Sequence, residues 1–240
     1  MRRSTAALAL AALLAGVAGS AAPVAAGPRA PDGFVALAEV APGIRQDMRY
    51  ASGDNFTGEV VDGYDEAVCL LTGEAARALR RAHQSLAGRG LGLLVYDCYR
   101  PRRAVEHFLR WAAGPEEDDS REEFHPRVPK DRLFDEGYLA ARSGHSRGST
   151  VDVTLVRRGS GEPVDMGTEF DFFDPRSHTS SAEVGERPRA ARELLRAALT
   201  AEGFEPVDTE WWHFTLGGEP FPDTYFDFPV TRESLADRHG

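Results

Sequence analysis

The stretch Ser143-Gly144-His145-Ser146-Arg147-Gly148-Ser149-Thr150-Val151-Asp152-Val153 (SGHSRGSTVDV) runs from a Ser/Gly/Arg-rich turn into an apolar, β-branched segment. The segment from Thr150 to Leu155 reads as a buried strand, with Asp152 among apolar neighbours. A buried carboxylate needs a hydrogen-bond donor, a cation or a metal as partner. His145 precedes it by seven residues, too far for one helical turn but right for a turn folding back over the strand start. A second imidazole, His213, stands in Glu210-Trp211-Trp212-His213-Phe214 and must arrive from another strand. Two imidazoles and a carboxylate make a three-ligand zinc site with a fourth position open for water. A satisfied His–Asp core pair uses the same residue types, and spacing does not separate the two.

Around this stretch the chain alternates irregularly between short strands and helices. Phe34–Leu37 and Asp47–Tyr50 read as strands. Thr72–Leu86 carries Ala75, Leu79, Ala82 and Leu86 on one helical face, with Thr72 as N-cap and Gly88 and Gly90 as stops. Leu91–Tyr96 is a buried strand, and Pro101 opens a helix with Ala104, Val105, Phe108 and Leu109 inward. The acidic segment 114–123 reads as a solvated loop, Arg157–Glu162 as a hairpin tip and Pro175–Pro188 as a polar loop. Arg189–Glu202 is a helix with Ala191, Leu194, Leu195, Ala198 and Leu199 inward; Glu210–Leu216 is a last strand. Without regular βαβ alternation this predicts an α+β fold in one domain, which 240 residues can fill with a sizeable core.

The net charge of −10, without a basic stripe, argues against nucleic acid as a partner. Met1-Arg2-Arg3, an Ala/Leu-rich run and Val24-Ala25-Ala26 form a signal-peptide pattern, so residues 1–26 are expected to be removed on export and 27–240 to form the mature domain. The apolar run is short for a bilayer span, and no other segment suits one. Outside the cytoplasm Cys69 and Cys98 can form a disulfide closing about 30 residues, stabilising by roughly 3–4 kcal/mol.

Several polar residues stand in apolar settings. Glu210 and His213 are three apart, so in a regular strand they face opposite sides; they share a site only if Glu210 lies in a turn or bulge before the strand. There its carboxylate can accept and return a proton. Arg100, where the strand ends, can steady an oxyanion or form an ion pair with Asp97. Asp171, among Phe170, Phe172 and Phe173, suits a cationic substrate group; Asp174 before Pro175 suits a loop cap. Loop His178 reads as structural, the tryptophans as core, and Arg147 as a surface or supporting residue.

SGHSRGSTVDVTL resembles the S-x-H-x-x-G-x-x-x-D zinc motif of the VanX-type D-alanyl-D-alanine dipeptidases; EWWHF resembles their E-x-x-H motif and YDCYRP their arginine motif. Asp47–Ala51, Asp54–Gly58, Met166–Thr168 with Phe170-Asp171, and Phe226–Pro229 are also similar, in order, over roughly Val40 to Pro229. The resemblance implies a Hedgehog/DD-peptidase fold with a mainly antiparallel sheet. It implies Zn2+ on His145, Asp152 and His213, Glu210 as general base and acid, and Arg100 on the tetrahedral intermediate. Ser143 and Asp171 would hold the dipeptide amino group, with Tyr50 and Phe56 lining the pocket. The expected substrate is D-Ala-D-Ala. The alternatives are a peptidoglycan D,D- or L,D-carboxypeptidase and a zinc-stabilised binding domain without catalysis.

Overall fold

A computed structural model describes residues 28–116 and 118–235. The expected signal segment 1–26, Gly27, Glu117 and residues 236–240 lie outside the described residues. In chain order the elements are β1 (Phe34–Ala36), α1 (Leu37–Val40), β2 (Arg45–Gln46), β3 (Leu70–Thr72), α2 (Gly73–Ser85), β4 (Leu91–Asp97) and α3 (Arg102–Ala112). They continue as α4 (Asp118–Phe124), β5 (Thr150–Arg157), α5 (Glu186–Thr200), β6 (Phe204–Pro206) and β7 (His213–Leu216).

The main sheet has the order β2-β4-β5-β7-β6, and β1 pairs with β3 in a small antiparallel sheet. Only β2 and β4 run parallel; β4·β5, β5·β7 and β6·β7 are antiparallel. The fold is thus α+β with a mainly antiparallel sheet. β5 is buried at every residue but Arg157, which suits its largely β-branched and apolar sequence. Alternation along β5 puts Asp152 and Thr154 on one face and Val151, Val153 and Leu155 on the other. Helices α2 and α5 pack against each other and against β4 and β5. Thr72 caps α2 by accepting from the Ala75 N–H, as its position predicts.

The pairing register positions the site. Asp152 on β5 opposes His213 on β7. On the other side the β4–β5 register shifts between Val95 and Asp97, leaving Tyr96 as the extra residue and setting Asp97 opposite Asp152. Three polar side chains from three strands therefore stand in one row.

Several sequence expectations are corrected. Asp47–Tyr50 is not a strand: β2 ends at Gln46, and Arg49–Ala51 forms a 3-10 turn that carries Tyr50 into the core. The acidic segment is not all loop, because α4 occupies Asp118–Phe124; Ser120 Oγ donates to the Phe56 carbonyl (3.0 Å), and Phe124 packs against the core. Helix α5 begins at Glu186, with Pro188 in its first turn, where N–H groups have no helical acceptor. Its buried face includes Arg192 beside Leu195 and Leu199, while Leu194 is only half-buried. Leu109 is 40% exposed, since the buried face of α3 is Ala104, Val105, His107 and Phe108. Leu37 starts a helix rather than ending β1, the last strand starts at His213, and β6 has no clear sequence signature. Among the described residues no helix is long and apolar enough to cross a membrane.

Candidate active site

His145 sits in a short 3-10 turn, Gly144–Arg147, which Ser143 caps by accepting from the His145 N–H (3.3 Å). Gly148 ends the turn at φ +85°, a conformation that disfavours any side chain. His145 Nδ1 lies 2.7 Å from the Cys98 carbonyl oxygen. Donation along that contact leaves Nε2 as a lone pair aimed at the sheet. Cys98 is itself bonded to Cys69, with a Cα separation of 5.3 Å. The disulfide thereby pins the carbonyl that orients the imidazole.

His145 Nε2 is 3.3 Å from Asp152 Oδ1 and 3.3 Å from His213 Nδ1; His213 Nδ1 is 3.1 Å from Asp152 Oδ1. One donor atom from each residue lies within 4.8 Å of the others. Asp152 Oδ1 is buried and receives no hydrogen bond. A buried carboxylate oxygen facing two imidazole nitrogens without a donor is a group a metal ion would complete. Burial raises the proton affinity of Asp152, but His145 and His213 outweigh it and hold the carboxyl below its usual range. Burial keeps the His213 imidazole below its usual value, in the neutral form a ligand needs.

Glu210 is placed by a turn, not by β7: its carbonyl accepts from the His213 N–H (3.3 Å). The turn returns Glu210 to the side of His213, with Oε2 3.6 Å from Nδ1. Burial first, then the charges of Asp152 and Asp171, push its carboxyl well above the usual range. Arg100 is nearly buried. Its Nε donates to Asp97 Oδ2 (2.9 Å), Nη2 lies 3.5 Å from Asp152 Oδ2, and the guanidinium packs 5.0 Å from the Tyr50 and Phe108 ring centres. Burial alone would lower its proton affinity, but Asp97 and its neighbours overcome that, so the charge is permanent. The ion-pair reading of Arg100 is realised: Asp97 holds the guanidinium, and Arg100 lines the cavity.

Asp171 takes a left-handed backbone conformation at φ +59°, the only non-glycine among the described residues to do so. It accepts a hydrogen bond from the Tyr50 hydroxyl (2.9 Å), and burial, with the Asp152 charge, pushes its carboxyl well up. Asp171, Tyr50, Arg100, Ser143, Asp152, Glu210 and His213 all line one cavity of about 160 Å³. Phe56 does not: it is buried behind Tyr50, against Phe108, Trp111 and Phe173, as core.

Sequence reasoning passed over two features. The sequence offers Asp97 only as an ion-pair partner of Arg100, yet it also accepts from Tyr64 Oη (2.6 Å) and lies 3.3 Å from His145 Nδ1. Gly137, Tyr138, Leu139 and Ala140 roof the cavity from a stretch with no periodicity to read. His178 lies outside the donor group and meets the Tyr138 hydroxyl at 3.1 Å. Asp174 caps its turn through the Arg176 N–H (2.9 Å), and Arg147 pairs with Glu219 (2.7 Å). Trp211 donates to Thr168 Oγ1 (2.9 Å), while Trp212 is core that also touches the cavity.

Comparison with known proteins identifies the family of the chain. The family model described as D-ala-D-ala dipeptidase matches residues 30–231. A D-alanyl-D-alanine dipeptidase of Enterococcus faecalis is 46% identical over 200 residues, covering 83% of this chain and 99% of that protein. One of Enterococcus faecium is 44% identical, covering 82% and 98%. One of Streptomyces coelicolor is 46% identical over the same shares. Matched over nearly its whole described length and sharing 44–46% of the aligned residues with such proteins, the chain belongs to the D-ala-D-ala dipeptidase family.

Proposed function

We propose that the chain is an exported, zinc-dependent D-alanyl-D-alanine dipeptidase. One observation carries the reading: Glu210, Arg100 and Asp171 converge with the His145, Asp152 and His213 donors on a cavity of only about 160 Å³. That is well below the roughly 300–1,000 Å³ of drug-sized sites and suits a dipeptide. The names of the relatives agree.

His145 Nε2, Asp152 Oδ1 and His213 Nδ1 would hold the zinc. Their separations of 3.1–3.3 Å are close to the edge of a tetrahedron with bonds of about 2.0–2.1 Å, which is about 3.3–3.4 Å. Bound there, zinc supplies Lewis acidity toward the scissile carbonyl and an acidified water. The other steps belong to side chains. Asp171, held by the Tyr50 hydroxyl, receives the ammonium of the dipeptide, with the Ser143 hydroxyl beside it. Glu210 takes a proton from the attacking water and delivers it to the departing amine of D-alanine. Arg100, fixed by Asp97 and two aromatic rings, donates to the developing oxyanion without having to reorganise. Export rests on residues 1–26 and is tested by N-terminal sequencing of the secreted protein.

The decisive experiment measures alanine released from D-Ala-D-Ala, L-Ala-L-Ala and a muropeptide by zinc-loaded wild type and Glu210→Gln. The expected result is release from D-Ala-D-Ala only, with a loss of about 10²-fold or more in the variant at unchanged zinc content. Full activity in Glu210→Gln would refute the base, and preferred cleavage of the muropeptide would favour a carboxypeptidase.

A further inference from the structure

The geometry points to a second binding site, for a small organic ammonium ion carried on an apolar body, on the far side of the loop that presents Asp171. The cavity there measures about 590 Å³, in the range of small-molecule sites, and shares no lining residue with the catalytic cavity. Its apolar walls are the rings of Phe170, Phe172 and Trp211.

Three hydroxyl-bearing residues line it: Tyr96, Thr154 and Thr168, the last already bonded to Ser177, Arg192 and Trp211. Tyr96 is 5% and Thr154 1% exposed, and neither hydroxyl has a hydrogen-bond partner among the described residues. Side chains this enclosed, with hydroxyls that have no partner among the described residues, offer hydrogen bonds to what enters the cavity. Both positions follow from the fold. Tyr96 is the extra residue of the β4 register shift, and Thr154 shares the sheet face of Asp152.

The charge around the cavity selects the ligand. Glu123, Asp165 and Glu169 line it, and none of them forms an ion pair with another described residue. The one cation in the lining is Arg176, whose Nε is committed to Asp174 Oδ1 (3.0 Å) and whose guanidinium covers Phe172 (4.6 Å). Arg49, which packs on the Tyr96 ring (5.2 Å), is matched by Asp47 and Asp54. Three unmatched carboxylates over aromatic walls favour a cation and repel an anion. Hydroxyls can accept from an ammonium N–H, and the rings give an apolar body its contact.

The test titrates phenethylammonium, 2-phenylethanol and phenylacetate into the zinc-loaded full chain by calorimetry, with a saturating dipeptide substrate analogue to block the catalytic cavity. The expected order is ammonium binding about tenfold tighter than the alcohol, and no binding of the carboxylate. The double variant Glu123→Gln/Glu169→Gln, which changes only exposed residues, should erase the preference for the ammonium. Tyr96→Phe should weaken the ammonium while leaving dipeptide hydrolysis unchanged. Equal affinity for the three probes, ammonium binding that survives the double variant, or no ammonium binding up to about 10 mM would each overturn the site.

Discussion

Replacing Arg192 by Met should destabilise this protein by about 3 kcal/mol, although Arg192 touches neither the donor group nor the cavity. Arg192 lies on the inner face of α5, 1% exposed. Its Nε donates to the Met166 carbonyl (2.7 Å) and Nη1 to the carbonyls of Arg176 and His178 (both 2.8 Å). Nη2 reaches Thr168 Oγ1 at 3.3 Å. No carboxylate among the described residues forms an ion pair with it, and burial lowers its pKa to about 10. Three hydrogen bonds from a charged donor to buried carbonyls contribute about 1.5–3 kcal/mol each. Relief from burying the guanidinium offsets several kcal/mol of that sum, leaving a net loss of about 3. For a domain of this size the melting temperature should fall by about 10 °C, measured by calorimetry at pH 7. Because Met166–His178 brackets Asp171, KM for the dipeptide should rise more than kcat falls. Arg192→Met melting within about 2 °C of wild type would refute the reasoning, since it would mean the three carbonyls find other donors.

The double variant Cys69→Ser/Cys98→Ser should lose about 3–4 kcal/mol in urea unfolding, because the bond closes a loop with a sequence separation of 29. Gly148→Ala places a Cβ 2.2 Å from the Phe34 ring at φ +85°, and should cost about 2–5 kcal/mol. Gly58→Ala, at φ +74° in open space, should cost only about 1–2 kcal/mol, and the two melting curves compared directly check the difference. Burial raises the Asp174 pKa, but hydrogen bonds from Arg127 and Arg176 outweigh it and bring the carboxyl to about 2. With the unfolded value near 3.9, about 2 kcal/mol of stability is present above pH 4 and is lost as pH falls toward 2. The stability gap between wild type and Asp174→Asn, followed by urea titration, should close over that window.

Much of the site was legible because its chemistry needs rare residue types in apolar settings. Asp152 in a β-branched run, His145 in a glycine-rich turn and His213 behind two tryptophans each signalled a cost that a partner must offset. The condition on Glu210, that it lie in a turn, is met by the Glu210–His213 hydrogen bond. Phe56 misled because an aromatic in a family-like block reads the same whether it lines a pocket or backs one. The cavity roof at 137–140 was illegible, since irregular loops carry no period.

By itself the sequence determined the α+β class, the strand of Asp152 and the helix of Thr72. These depend on local periodicity and on residue chemistry, which one chain segment carries alone. Only the tertiary structure decided that Asp97, Asp152 and His213 stand in one row, because that needs a register shift at Tyr96 and pairing between strands 61 residues apart in sequence (152 to 213). The depth of the cavity, the place of Arg192 among three carbonyls and the neighbouring acidic, aromatic cavity were likewise decided there. Register and closure are set by which distant surfaces pack together, and no local pattern encodes them.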